Sequence, residues 1–209
     1  YIKQNTKKKL IKEVSGEFLN NKASNKKDLN EKKHLNIDID LKAKDIFISH
    51  SSKDKLLIDK FVEKILILGL GLSNSDIFCT STEGFGIRTG EDFRAAIRRN
   101  ISESKITILI ISPNYKKSEI CLNEMGAAWV LNSYVIPTII DPVDYKSVGT
   151  IMEPLHISKL NDSTFLDELS QMIIKALNKN KFDIVSWNKH KQEFIDFTKE
   201  WIKECSRVL

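Results

Sequence analysis

The sequence predicts an α/β fold, a five-stranded parallel sheet in the order 2-1-3-4-5 with helices on both faces. Three observations predict it. Strand-like and helix-like segments alternate five times from residue 45 onward, the pattern of parallel strands joined by crossover helices. The segment Lys105 to Ser112 is apolar almost throughout, as a strand covered on both faces requires, which places it centrally. With right-handed crossovers and the third strand central, the order 2-1-3-4-5 fits, which is the flavodoxin-like arrangement.

Residues 1–44 stand apart by composition. They hold 12 Lys against 6 acids, whereas residues 45–209 hold 21 Lys or Arg against 22 acids. The overall charge of +5 therefore sits in a basic N-terminal segment, and the near-neutral remainder is not expected to bind nucleic acid. Leu10, Ile11, Val14 and Phe18 recur at helical spacing, consistent with a short amphipathic helix. Asn20 to Lys33 reads as a polar linker. A solvated tether is the plain reading of this segment.

From residue 45 the elements follow in order. Ile46 to Ser49 is the first strand. Asp54 to Leu68 carries apolar residues at 57, 58, 61, 62, 65 and 68, a helical period ended by Gly69 and Gly71. Asp76 to Thr80 is the second strand, followed by a glycine-containing loop from Ser81 to Gly90. Glu91 to Ser102 is a helix with Phe93, Ile97 and Ile101 facing inward. Lys105 to Ser112 is the third strand. Ser118 to Leu131 is a helix with Cys121, Leu122, Met125 and Trp129 on its inner face. Tyr134 to Ile140 is the fourth strand, stopped by Asp141 and Pro142. Lys146 to Met152 reads as a short helix, Leu155 to Leu160 as a weaker fifth strand, and Ser163 to Leu177 as the helix after it. Residues 188–208 add one more helix, whose apolar face of Phe194, Phe197, Trp201, Cys205 and Val208 must pack on the domain or on a partner. The chain thus divides into a basic segment at 1–44, a domain at 45–178 and a helical extension at 179–209.

Composition excludes several classes. Apolar content of 41% and charged content of 29% are those of an ordinary soluble protein. The longest apolar run, Ile106 to Ile111, is far short of a membrane span. No signal peptide is evident, and a first residue of Tyr1 is expected of a piece of a longer or processed protein. Cys79, Cys121 and Cys205 are scattered and odd in number, which predicts reduced thiols and a cytoplasmic location. The 4 His have no ligand-like spacing, so no metal site is expected.

In an open parallel sheet ligands bind beyond the carboxyl ends of the strands, where the order reverses. Here that point lies between the first and third strands. It presents Ser49, His50, Ser51 and Ser52, then Ser112 to Tyr115, the glycine loop, and Glu124 from the following helix. The residues do not match a phosphate-binding P-loop, which needs Gly-Lys-Ser/Thr after the first strand. They lack the acids of a phospho-acceptor domain and the Gly-x-Ser-x-Gly of a hydrolase elbow. Gly84 to Gly90 is not a dinucleotide fingerprint. A lone Glu on a helix is ordinarily a solvated surface residue. His50 reads equally as a turn residue, Arg88 as exposed, and Ser118 as a helix cap. Phe85 on a glycine loop is harder to read as solvated, because an apolar tip usually finds a partner.

Asp45-Ile46-Phe47-Ile48-Ser49-His50-Ser51 resembles the first box of TIR (Toll/interleukin-1 receptor) domains. Glu83 to Gly90, running into Glu91, Asp92 and Phe93, resembles their BB loop. Ile108 to Tyr115 with Ser118 to Glu124 resembles the strand and Cys-Leu-x-Glu helix of plant and bacterial members. The resemblance covers about residues 45–178 and is strongest to bacterial proteins of antiphage defence. It implies a flavodoxin-like fold, NAD+ as a substrate rather than a cofactor, and Glu124 as the catalytic residue. It further implies a substrate held by Ser49, His50, Ser51, Phe85, Arg88, Tyr115, Ser118 and Ile120. Several members carry Trp where this chain has Ile120, so Phe85, Tyr115 or His50 would have to supply an aromatic wall. The resemblance also implies TIR–TIR self-association and a sensing domain or partner outside this chain. It leaves open hydrolysis against cyclisation to a cyclic ADP-ribose, and leaves open a non-enzymatic adaptor.

Overall fold

Alternation along the central strands divides the apolar residues into two sets. The computed structural model describes residues 43–80, 92–131, 134–148, 156–180 and 182–208. The expected helix within 1–44, the glycine loop and most of the expected helix at 146–152 lie outside them. The strands are β1 (Ile46–Ser49), β2 (Ile77–Phe78), β3 (Ile106–Ile111), β4 (Val135–Ile139) and β5 (Ser158–Lys159). They form one sheet in the order β2-β1-β3-β4-β5, with every pairing parallel, as the sequence predicts. Ile46 and Ile48 of β1 lie opposite Ile106 and Ile108 of β3. The even-numbered residues Ile46, Ile48, Ile106, Ile108 and Ile110 enter one core. Phe47, Leu109 and Ile111 enter another on the opposite face, as the two-residue period of a strand dictates.

The two edge strands are shorter than predicted. Asp76, read as a strand residue, instead closes a turn by accepting from the Ser73 N–H at 2.9 Å, and Lys179 lies 3.1 Å from it. That use of Asp76 delays β2 to Ile77. β5 is reduced to Ser158 and Lys159 beside β4.

The even face is covered by three helical segments. α1 spans Lys55–Phe61 and runs on as a π-helical stretch, Val62–Gly69. That stretch ends with the Leu70 N–H on the Ile65 carbonyl at 3.1 Å, and Gly71 turns the chain at φ +68°. α5 (Ser163–Leu177) is capped at its start by Asp162, whose side chain accepts the Phe165 N–H at 2.7 Å. α6 (Ile184–Val208) begins earlier than predicted, which brings Trp187 into the core. Phe194 is buried edge-on to Phe61 at 5.6 Å, while Phe197 and Trp201 are half-buried against the same core. The apolar face of the C-terminal helix thus packs on its own domain, and Ala43–Leu209 form one compact unit. Lys191 on this face is buried but paired with Asp167 at 2.7 Å, and the Trp187 indole N–H donates to the same carboxylate at 2.7 Å. None of the helices among the described residues is long and apolar enough to cross a membrane.

The odd face is covered by α2 (Phe93–Glu103), α3 (Pro113–Lys116) and α4 (Glu119–Leu131). α3 was not predicted. The inner face of α4 differs from its prediction: Cys121, Met125 and Ala128 are buried, whereas Leu122 and Trp129 are 41% and 53% exposed. α4 is apolar on every side, so its sequence carries no periodicity that selects a face. On α2, Ala96 and Ile101 are buried and Ile97 is half-buried. The side chain of Phe93 lies outside the described set.

Gly69 tests the packing of α6. A Cβ at this position would sit 2.9 Å from both the Lys64 carbonyl oxygen and Trp187 Cε3. Alanine gains helix propensity worth roughly 1 kcal/mol over glycine. The clash with backbone and a buried indole outweighs it, because overpacking costs about 1–3 kcal/mol. Gly69→Ala is therefore expected to lower the denaturant midpoint without changing the spectrum of the native state. An unchanged or raised midpoint would show that Trp187 does not lie on this turn.

Candidate functional site

Strand alternation places Ser49, like Phe47, on the odd face, at the carboxyl end of β1. α4 runs past that end. Its buried Cys121 fixes the helix against the sheet, and Glu124, one turn later, meets the serine. The Ser49 hydroxyl donates to Glu124 Oε2 at 2.7 Å, and Tyr115 Oη lies 3.0 Å from Ser49 Oγ. A hydroxyl has one proton, and Ser49 spends its proton on the carboxylate, so the tyrosine donates to the serine. Tyr115 is fully buried, and burial pushes its phenol far above the ordinary range, which keeps the donor proton in place.

Tyr115 is held by α3. Pro113 occupies the first helical position, and Ser112 caps the helix by accepting the Tyr115 N–H at 3.0 Å. Ser112 Oγ in turn donates to Asp54 Oδ2, and Asn114 Nδ2 donates to Asp54 Oδ1 at 2.7 Å. Asp54 comes from the turn after β1 and is 1% exposed. The carboxylate thus ties together the two turns that flank the reversal of strand order.

His50 lies beside this chain, nearly buried. Its Nδ1 is 3.2 Å from the Ile48 carbonyl oxygen and 4.0 Å from Cys79 Sγ. Burial by itself lowers the imidazole pKa, but Cys79, the Ile48 carbonyl and the charge of Glu124 together raise it above the ordinary value. The Cys121 thiol donates to the His50 carbonyl at 3.4 Å, and burial pushes that thiol up. Glu124 is half-buried. Desolvation raises its pKa above the usual carboxylate range, opposed by the Ser49 hydrogen bond and by His50.

The open side of Glu124 faces a cleft of about 690 Å³ between α2 and α4. Ile120, Asn123 and Ala127 line one wall, and Arg94, Ile97 and Arg98 line the other. Ile120 is 59% exposed at this cleft, so the wall it forms there is aliphatic and not aromatic. The geometry therefore joins Ser49, His50, Tyr115 and Glu124, with Ile120 alongside. Tyr115, predicted to touch substrate or serve as an aromatic wall, is enclosed and reaches the site only through Ser49. Ser51 accepts the Lys53 N–H at 3.4 Å and Ser118 accepts the Cys121 N–H at 3.3 Å, so both cap turns beside the site. Phe85 and Arg88 lie outside the described residues.

The family model of the TIR domain matches residues 46–173, more than half of the chain. The chain belongs to the TIR domain family. The Bacillus subtilis (strain 168) protein YddK, itself uncharacterized, is 32% identical over 151 residues. That match covers 72% of this chain and 56% of YddK, so this chain spans about half the length of the curated relative it matches. The TIR domain of the Toll-related receptor TRR-2 from the lower metazoan Hydra magnipapillata is similar at 18% identity and a TM-score of 0.49, covering 66% of this chain and all of that one. The TIR domains of the activated Roq1 resistosome, which recognises the pathogen effector XopQ, are similar at 20% identity and a TM-score of 0.39, covering 77% of this chain and 99% of that one.

Sequence reasoning missed Asp54, Arg94, Arg98 and Asn123 in this TIR domain. α2 was read by its inner face, and the pair of arginines one turn apart on its polar side was the available signal. Asp54 was read as a helix-starting residue. A second cleft of about 500 Å³, lined by Trp129, Tyr134, Pro137 and Met172 among others, includes no member of the Tyr115–Ser49–Glu124 chain.

Two measurements test this arrangement. Asp54→Ala leaves the buried Ser112 hydroxyl and Asn114 amide without their acceptor, and should cost about 1.5–3 kcal/mol of stability by denaturant titration. Glu124 tests the electrostatics of the TIR domain. A raised folded pKa means that its contribution to stability is full below the ordinary glutamate range and is lost as pH rises through the folded value. Glu124→Gln removes that loss. The variant should match the parent in acid and become the more stable of the two as pH rises toward neutrality. A parent that gains on the variant over that window would show the carboxylate to be stabilised by the fold.

Proposed function

We propose that this TIR domain is an NAD+ nucleosidase that breaks the nicotinamide–ribose bond, acting in the cytoplasm as an effector of bacterial antiphage immunity and activated by self-assembly. The observation that supports it is Glu124, the one carboxylate among the described residues that line the cleft, held by Ser49 and Tyr115 while its other side faces open space. One carboxylate suffices for this reaction. The nicotinamide nitrogen is already cationic, so the C–N bond breaks with its electron pair moving to the ring and no proton is needed, unlike in glycosidases with two carboxylates. The ribosyl cation left behind is stabilised by the preorganised negative charge of Glu124, which also accepts a hydrogen bond from a ribose hydroxyl. Water attack, with release of a proton, gives ADP-ribose. Attack by an adenine nitrogen gives a cyclic product from the same cation.

Incubating the chain with NAD+ at high protein concentration and identifying products by mass tests the reading. Glu124→Gln should lower cleavage by roughly a hundredfold or more, the scale set by removing one preorganised electrostatic group. Because the charged form is the active one, the acid limb of kcat/KM should lie above the ordinary carboxylate range, displaced upward by burial. A Glu124→Gln protein that folds and cleaves NAD+ at the parental rate would remove the residue from catalysis.

A non-enzymatic TIR–TIR interaction module is the second reading. The exposed Trp129, Val130, Leu131 and Tyr134, at 44% to 70% exposure, favour it, since such a run of large apolar residues suits a protein contact. Concentration-dependent assembly with no turnover of NAD+ would select this reading.

A further inference from the structure

The wall opposite Glu124 carries a feature that bond cleavage alone does not use. Arg94 and Arg98 lie one turn apart on α2, so both side chains leave the helix on the same side. Both line the Glu124 cleft, and both are exposed. Like charges at this spacing disfavour a helix slightly, so the pairing of the two charges does not itself stabilise α2. Asp92 feels both charges, but one of its oxygens is occupied as the helix cap, accepting the N–H of Arg94 at 2.8 Å and of Ala95 at 3.0 Å. The cleft also presents Ile97 and Ile120, apolar surface that suits the faces of sugars and bases.

We propose that Arg94 and Arg98 form a subsite for a diphosphate, so that the cleft selects a dinucleotide over a mononucleotide or nucleoside. The planar fork of each guanidinium pairs two phosphoryl oxygens, and a phosphoric anhydride offers one anionic phosphoryl group to each arginine. The arrangement sorts charge along the ligand. The cationic glycosidic end lies toward Glu124 and the anionic linker lies toward α2. Free diphosphate shares this chemistry but lacks the cationic end. The proposal rests on the nucleosidase reading for the identity of the ligand, but not for the existence of the anion site.

The test uses the full chain with Arg94→Gln, Arg98→Gln and the double substitution, which keep a polar side chain of similar helix propensity and remove the charge. Steady-state kinetics are measured on NAD+ and on nicotinamide riboside, which has no phosphate. The double variant should raise KM for NAD+ by about tenfold or more with kcat changed less than about threefold, the split that marks lost uniform binding. On the riboside its kcat/KM should fall less than about twofold, whereas damage to the fold would lower both substrates alike. Titration calorimetry with ADP-ribose, which lacks the scissile bond, reads the subsite without turnover. If no protein cleaves NAD+ but ADP-ribose binds the parent and not the double variant, the subsite stands and the nucleosidase reading fails. If NAD+ is cleaved with an unchanged KM in the double variant, or both substrates suffer equally, the subsite is overturned and the reaction stands. If the parent neither cleaves NAD+ nor binds ADP-ribose, both are overturned.

Discussion

A buried carboxylate, Asp54, holds the two ends of this site together. Leaving such a group without donors would be costly, and here the Ser112 hydroxyl and the Asn114 amide supply them. The acceptors and donors come from the turns after β1 and after β3, the neighbouring strands at which the order of the sheet reverses. The same Ser112 that donates to Asp54 accepts the Tyr115 N–H, so the clamp also sets the position of the phenol. From there the hydrogen bonds run through Ser49 to Glu124. Two carboxylates thus terminate one network, one enclosed and satisfied, the other left half-open to a cleft. Enclosure suits a structural role, and partial exposure with a raised pKa suits chemistry.

The two faces of the sheet divide the labour. The even face carries large side chains, with Phe61, Phe194 and Trp187 all essentially buried between α1, the π-helical stretch and α6. The odd face is thinner and richer in groups with chemistry, including Tyr115, Cys121 and the hydroxyl of Ser49. Burial on the even face supplies apolar stabilisation that does not depend on the site, which lets the odd face tolerate a desolvated glutamate and an open cleft. α6 is part of that support although it lies beyond residues 46–173, the span matched to the TIR family. The family-defining span is therefore not the whole folding unit, because Trp187 and Phe194 complete its core.

Much of this was legible in the chain, for identifiable reasons. The strand order follows from the alternation of elements and the all-apolar third strand. The face of Ser49 follows from its position two residues after Phe47. The Cys-Leu-x-Glu box singled out Glu124. What was misread had a local signal that was weak or shared. α4 is apolar all round, so Leu122 and Trp129 looked as core-like as Ala128. Asp76 opens an expected strand and Asp54 an expected helix, and neither position signals a tertiary partner. Arg94 and Arg98 looked like the polar side of an amphipathic helix.

The sequence by itself determined the sheet, its order, the side on which Ser49 emerges and the presence of Glu124 near the switch point. These depend on periods of two and of about 3.6 residues, which are properties of neighbours along the chain. Only the tertiary structure decided which polar groups meet. Asp54 finds Ser112, Ser49 finds Glu124, and Arg94 and Arg98 face the glutamate across a cleft. Those pairings join residues from separate elements, and their distances are set by how α2, α3 and α4 seat on the sheet. No local pattern encodes that seating, because it is fixed by the volumes of buried side chains contributed from the whole length of the domain.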